Sequence, residues 1–124
     1  MQRNTESLSQ YIRLVERLFS NWKIGAEDKL ILLGYEATGK DLAHVLEHFL
    51  LQESSRDLIE RIAYLFAIHA NLRIIFPRNK NLVYGWMTAR CADFYGHTPV
   101  EVVKEHGLVG FNMLNKYLEK EKNM

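Results

Sequence analysis

Several things are scarce in this chain, and each scarcity removes a class of function. A single cysteine, Cys91, allows no internal disulfide, so nothing points to a fold stapled for an oxidising compartment. Two prolines and seven glycines are too few for a loop-rich or low-complexity protein. No apolar run approaches the ~18 residues of a membrane span, and Met1 to Ser7 contains no apolar segment of the signal-peptide kind; cytoplasmic is the plain expectation. Charge of one sign is also missing. The net charge is +1, so no global field drives the chain onto nucleic acid. The balance is uneven: residues 1–53 hold six Lys/Arg against eight Asp/Glu, and residues 54–124 hold ten against seven. Any surface that seeks anions therefore belongs to the second half.

Catalytic and metal-binding constellations are equally thin. His44 and His48 share a helix face at i, i+4, but no third ligand accompanies them, so no metal site is expected. Gly34, Gly39 and Gly85 stand alone and make no phosphate loop. Cys91 and His97 could be imagined as a nucleophilic pair. Only Arg90 is at hand to activate that thiol, and a lone cysteine is more often a small buried hydrophobe. We expect no catalytic residue, no metal and no cofactor.

What is present is helical periodicity in 124 residues, enough for one domain or a domain with a subdomain. Leu8, Tyr11, Ile12, Val15, Leu18, Phe19 and Trp22 form a 3.6-residue stripe over 7–22, and Gly25 interrupts it. A short helix over 26–33 should stop at Gly34. Another should cover 39–51, capped by Thr38 and burying Leu42, Val45, Leu46 and Phe49. After a polar break at 52–55, the longest helix runs from Arg56 to about Phe76, capped by Ser54 or Ser55 and ended by Pro77. Asn81 can cap a helix passing through Trp86. Thr98, Pro99 and Glu101 spell a capping box with proline at the first helical position. Gly107 ends that helix, and a last one covers 109–120 before a fraying tail. The expected fold is all-α with about seven helices: a helix-turn-helix-like half at 1–53, a second half at 54–124, and a long central helix as spine.

Residues 26–51 outline a helix-turn-helix, in which Thr38, Lys40 and His44 would face a DNA groove. Asp41 and Glu47 oppose that reading electrostatically, because phosphate contacts supply most non-specific affinity. A hairpin that packs or dimerises is the alternative. The most distinctive stretch is 81–118: Trp86-Met87, Phe94-x-Gly96-x-Thr98-Pro99, Gly107-Leu108-x-Gly110 and Tyr117-Leu118. These are anchors, turns and caps. A chain that spends its unusual residues on shape points to gripping a partner before catalysis.

Those motifs, with Arg17-Leu18-Phe19-x-x-Trp22, Leu32-Leu33-Gly34 and Asp57-x-x-Glu60-Arg61-Ile62 before them, resemble the Xre/MbcA/ParS-type antitoxins, partners of RES-domain toxins. The chain departs from the family where Arg90-Cys91 replaces a common Pro-Asn pair, and its 39–51 segment lacks the usual Arg and aromatic residues. The resemblance implies a homodimer that blocks the active site of a NAD⁺-consuming toxin, with operator DNA as a further partner. Carried onto this chain, toxin contact falls to Asn112, Lys116, Tyr117, Lys120 and Lys122. Tyr117 and Leu118 could equally complete the core, and Trp86, Phe94 and Phe111 are expected to be core. The competing reading is a helix-turn-helix transcriptional regulator that acts without a toxin.

Overall fold

The computed structural model describes residues 2–35 and 56–124. They form six α-helices: α1 (Gln2–Trp22), α2 (Ala26–Leu32), α3 (Arg56–Ile75), α4 (Lys80–Gly85), α5 (Pro99–His106) and α6 (Leu108–Lys122). Two 3-10 turns, Trp86–Thr88 and Ala92–Phe94, join α4 to α5. Among the described residues there is no strand, so the all-α expectation holds. The helix expected over 39–51, its Thr38 cap, the Ser54/Ser55 cap and the 53/54 boundary lie outside the described residues.

Apolar side chains from α1 and α2 share one core with those of α3, α5 and α6. Ile12, Val15, Leu18, Phe19 and Trp22 of α1 are buried, as their spacing predicts. Tyr11 is not: it lies half exposed at the rim, its ring 6.2 Å from that of Phe66. The spine α3 buries Leu58, Ile62, Leu65, Ile68 and Leu72. Phe66 and Ile75 are only partly covered, and the polar Asn71 joins the buried set, which hydrophobic periodicity could not indicate.

The helix ends show which local rules operate. Gly34 stops α2 as expected, at φ +92, with Tyr35 N–H donating to Leu30 O at 2.9 Å and Gly34 N–H to Ile31 O at 2.9 Å. The end of α1 corrects the sequence reading. Lys23, not Gly25, turns the chain, adopting φ 58, and Ile24 N–H reaches Phe19 O at 3.0 Å. Gly25, at φ −70, is instead the residue preceding α2. A second correction concerns α4: Asn79, not Asn81, is its cap, accepting from Leu82 N–H at 3.2 Å. The capping box at α5 is complete, with Glu101 N–H donating to Thr98 Oγ1 at 3.1 Å and Thr98 N–H to Glu101 Oε1 at 2.8 Å.

Three features lock α2, α5 and α6 around α3. Arg61, its side chain only 12% exposed, pairs with Asp57 at 2.9 Å. Its Nη1 donates to Ile31 O and Leu32 O at 3.4 and 3.3 Å, so a cation sits at the carbonyl end of α2, where the helix dipole favours it. The same guanidinium lies 6.0 Å from the Phe111 ring centre. Lys104 of α5 pairs with Asp28 of α2 at 3.0 Å. Finally, Gly110 lets α6 press onto α5: a Cβ there would stand 2.7 Å from Val102 O.

Candidate partner-binding surface

The last helix presents two distinct sides. Gly110, Phe111, Leu114 and Leu118 are buried, and Phe111 stacks on Tyr64 with ring centres 5.8 Å apart. Around the opposite side, helical spacing brings together Val109, Asn112, Met113, Lys116 and Lys120. All of these are exposed except Asn112, which is half-buried. Among the described residues, neither Lys116 nor Lys120 has a carboxylate within ion-pairing distance. The face therefore combines two apolar side chains near the helix start with two available cations near its end.

Three of the five residues carried over for toxin contact, Asn112, Lys116 and Lys120, lie on this face. The other two do not. Tyr117 turns to one flank, where its ring stacks on Trp86 at 6.3 Å and meets Phe94 edge-on at 5.0 Å. Its hydroxyl donates to Asp93 Oδ2 at 2.9 Å. Burial first, and then this bond to a carboxylate, push the phenol well above its ordinary pKa of 10.0. Tyr117 thus acts as the rivet between α6 and the turn that follows α4. Phe94 and Phe111 are buried and Trp86 is partly buried, as expected of core aromatics.

Lys122 occupies the other flank and differs from the flexible tail lysine expected there. The helix continues through it, and its Nζ bonds Asn71 Oδ1 at 3.2 Å and Glu119 Oε2 at 3.0 Å. Asn71 Nδ2 in turn donates to Glu119 Oε1 at 3.2 Å, closing a three-residue ring between α3 and α6. The two bonds hold the Glu119 carboxyl below its ordinary pKa. The end of the chain is therefore fastened to the spine through Lys122.

The turn from Arg90 to His97 is rigid by its own bonds. Cys91 N–H donates to His97 O at 3.1 Å, while Cys91 O accepts from Phe94 and Gly96 at 3.0 and 2.9 Å. Arg90 Nη1 adds a bond to Gly96 O at 3.0 Å. Cys91 is half-buried against the core, and its hydrogen bond with His97 runs through the backbone. At the tip, Tyr95 is 94% exposed and sits in the left-handed region at φ 57, ψ 34.

Periodicity missed Val109, Met113 and Tyr95. The first two were legible as apolar residues at i, i+4 on the side of α6 opposite Phe111, Leu114 and Leu118. Tyr95 carried no local signal. Thr38, Lys40 and His44, expected at a DNA groove, lie outside the described residues, as does the His44–His48 pair. Among the described residues no three His, Cys, Asp or Glu converge as a metal site would require, and no helix is long and apolar enough to cross a membrane.

No family model, curated protein or solved structure matches the chain.

Proposed function

We propose that the protein is an antitoxin that binds a RES-domain toxin and obstructs its NAD⁺-consuming active site with α6. The motif resemblance supplies the class of partner, and the outward side of α6 supplies the place. The observation that carries the reading is that face: Val109 and Met113 exposed beside Lys116 and Lys120, on a helix whose other side is anchored by Phe111, Leu114 and Leu118. Rigid anchoring lowers the ordering cost of binding. Unpaired lysines suit a catalytic mouth lined by carboxylates, where they steer encounter and fix orientation. The mechanism is steric and needs no chemistry from this chain. Asn112, half-buried, contributes a polar contact at the edge of the face. Tyr117 and Lys122 hold the helix in place instead of touching the toxin. Operator recognition through Thr38, Lys40 and His44 belongs to the same proposal.

The test is inhibition of NAD⁺ consumption by a purified RES toxin, titrated with the wild-type chain and with the double variant Lys116→Glu/Lys120→Glu. Both positions are exposed, so folding is retained, which circular dichroism checks. The expected result is a loss of at least about tenfold in inhibitory affinity, with a salt dependence that the variant lacks. Unchanged inhibition by the variant refutes the assignment of the face. Gel shift of the upstream DNA at two salt concentrations examines the regulator reading, since phosphate contact produces a steep salt slope. Truncation after Glu119 is a poorer experiment, because it also removes the Lys122 bond to Asn71.

A further inference from the structure

We infer that the cleft between the end of α3 and α4 binds a nucleoside phosphate, its base against Phe76 and Tyr84 and its phosphate between Arg73 and Lys80. None of the residues lining this cleft belongs to α6, so the inference is independent of the antitoxin reading and is tested without a toxin.

The cleft forms where the chain leaves α3 at Ile75 and re-enters a helix at Lys80. Arg73 and Ile74 line it from α3, and Phe76 lines it from the connection. Lys80, Val83 and Tyr84, at i, i+3 and i+4, line it from α4. Its volume is about 740 Å³, within the range of small-molecule sites. Val83 is buried, and Phe76 and Tyr84 are half-buried against the core. The Tyr84 ring is held from α3 by stacking on His69, with centres 5.7 Å apart and 23° between the planes.

Packing accounts for Val83 and the two rings, but not for two other lining residues. Ile74 remains 57% exposed on the α3 wall. Lys80 is the first residue of α4, where the helix dipole disfavours a cation. Arg73, in the last turn of α3, is suited to the dipole there; Lys80 has no such reason. Among the described residues no carboxylate lies within ion-pairing distance of either cation, and none lines the cleft. The sequence carries the same bias, with five Lys/Arg and no Asp/Glu over 61–92. The result is an electropositive cleft whose walls are apolar and ring-bearing.

A ligand for it needs a flat apolar part and a compact anion of more than one charge. A nucleoside phosphate has both: every base offers a face for aromatic stacking, and arginine pairs phosphate through two parallel bonds. A fatty acid has a single charge, which leaves one cation unused. An acidic amphipathic helix needs a longer groove: α4 has six residues and spans only about 9 Å, short of two helical turns. A free nucleotide and the end of a single strand share the chemistry that remains.

Isothermal titration calorimetry of the full chain at low salt tests the inference. The probes are adenosine and thymidine 5′-monophosphates, ribose 5-phosphate, inorganic phosphate, a short oligothymidylate, dodecanoate and an acidic apolar peptide. We expect the nucleotides to bind, and ribose 5-phosphate and inorganic phosphate to bind at least about tenfold more weakly for want of stacking. Arg73→Gln/Lys80→Gln should weaken nucleotide binding at least about tenfold and remove most of its salt dependence. Both residues are exposed, so the fold is retained, which circular dichroism checks. If the double variant melts below the wild type, Lys80→Gln alone carries the test, with a loss of about fivefold expected. Oligothymidylate binding more tightly than thymidine 5′-monophosphate supports the inference with a single strand as the source; equal or weaker binding supports it with a free nucleotide. No binding of either nucleotide at about 5 mM overturns it. So does inorganic phosphate binding as tightly as the nucleotides, dodecanoate or the peptide binding more tightly, or a well-folded glutamine variant that binds like the wild type.

Discussion

Replacing Gly110 with alanine sets two effects of known sign against each other. In an open helix the change stabilises by about 0.5–1 kcal/mol, because glycine is a poor helix former. Here the added Cβ would stand 2.7 Å from Val102 O, 3.0 Å from Val103 Cα and 3.1 Å from Val102 C. All three are backbone atoms of α5, which also buries Val100, Val102 and Val103, so no side chain can swing aside. Restoring ordinary contact requires α5 and α6 to part by roughly 0.5–1 Å, which forfeits a quarter to a half of the dispersion energy across the seam. Overpacking of this kind costs about 1–3 kcal/mol. The clash outweighs the propensity gain, and the net expectation is destabilisation by about 1–2 kcal/mol, or roughly 4–8 °C in melting temperature. Gly85 is the control: it has a right-handed backbone, and a Cβ there meets nothing within 4 Å. Gly85→Ala should stabilise by about 0.5–1 kcal/mol. Urea unfolding followed by far-ultraviolet circular dichroism measures both. If Gly110→Ala is as stable as the wild type, the close seating of α6 on α5 is wrong, and with it the direction in which the Lys116 face points.

Lys23→Gly should raise stability by about 0.5–1 kcal/mol in the same assay, since Lys23 is exposed and held at φ 58. Arg61→Met should cost about 2 kcal/mol: it strips a largely buried charge from Asp57 and from the carbonyls of Ile31 and Leu32, whose 3.3–3.4 Å bonds place the loss at the lower end for charged partners. A double-mutant cycle with Asp57→Asn isolates the pair. His69 gives a pH dependence. Burial first, and then nearby Arg73, lower its pKa from the ordinary 6.5, and among the described residues the buried Nδ1, beside the stacked Tyr84 ring, has no hydrogen-bond partner. The folded state thus favours the neutral imidazole, and the unfolded chain takes up the proton first. Stability should therefore fall as pH drops below 6.5, until the folded-state pKa is passed. His69→Phe should flatten that part of the profile, and an unaltered slope would show that His69 is not the group responsible.

What could be read from residues alone was whatever neighbours along the chain decide. The Thr98–Pro99–Glu101 start of α5 depends on atoms three residues apart, and Gly34 ends α2 through its own freedom at positive φ. Phe111 was expected in the core and is buried there, together with Leu114 and Leu118, which share its side of a helix of 3.6 residues per turn. Where two residues could do one job, the sequence had no means to choose. Asparagine is a good cap at either 79 or 81; the sequence reading placed the cap at Asn81, whereas Asn79 accepts from Leu82 N–H, and Val83 and Met87 beyond it are buried.

Tertiary structure alone settled the rest, because those contacts join residues that are distant in the chain. Lys122 looked like a loose tail cation until Asn71, on the spine, took it as a partner. Arg61 entered the sequence reading only as part of the Asp57-x-x-Glu60-Arg61-Ile62 motif, yet it closes the end of α2 and lies 6.0 Å from the centre of the Phe111 ring. Tyr117 could have served core or partner in equal measure; Asp93, brought beside it by a turn from elsewhere in the chain, accepts a hydrogen bond from its hydroxyl and ties it to the framework. Helical periodicity tells each side chain which way to face, but only the packing of one helix on another decides what it meets there.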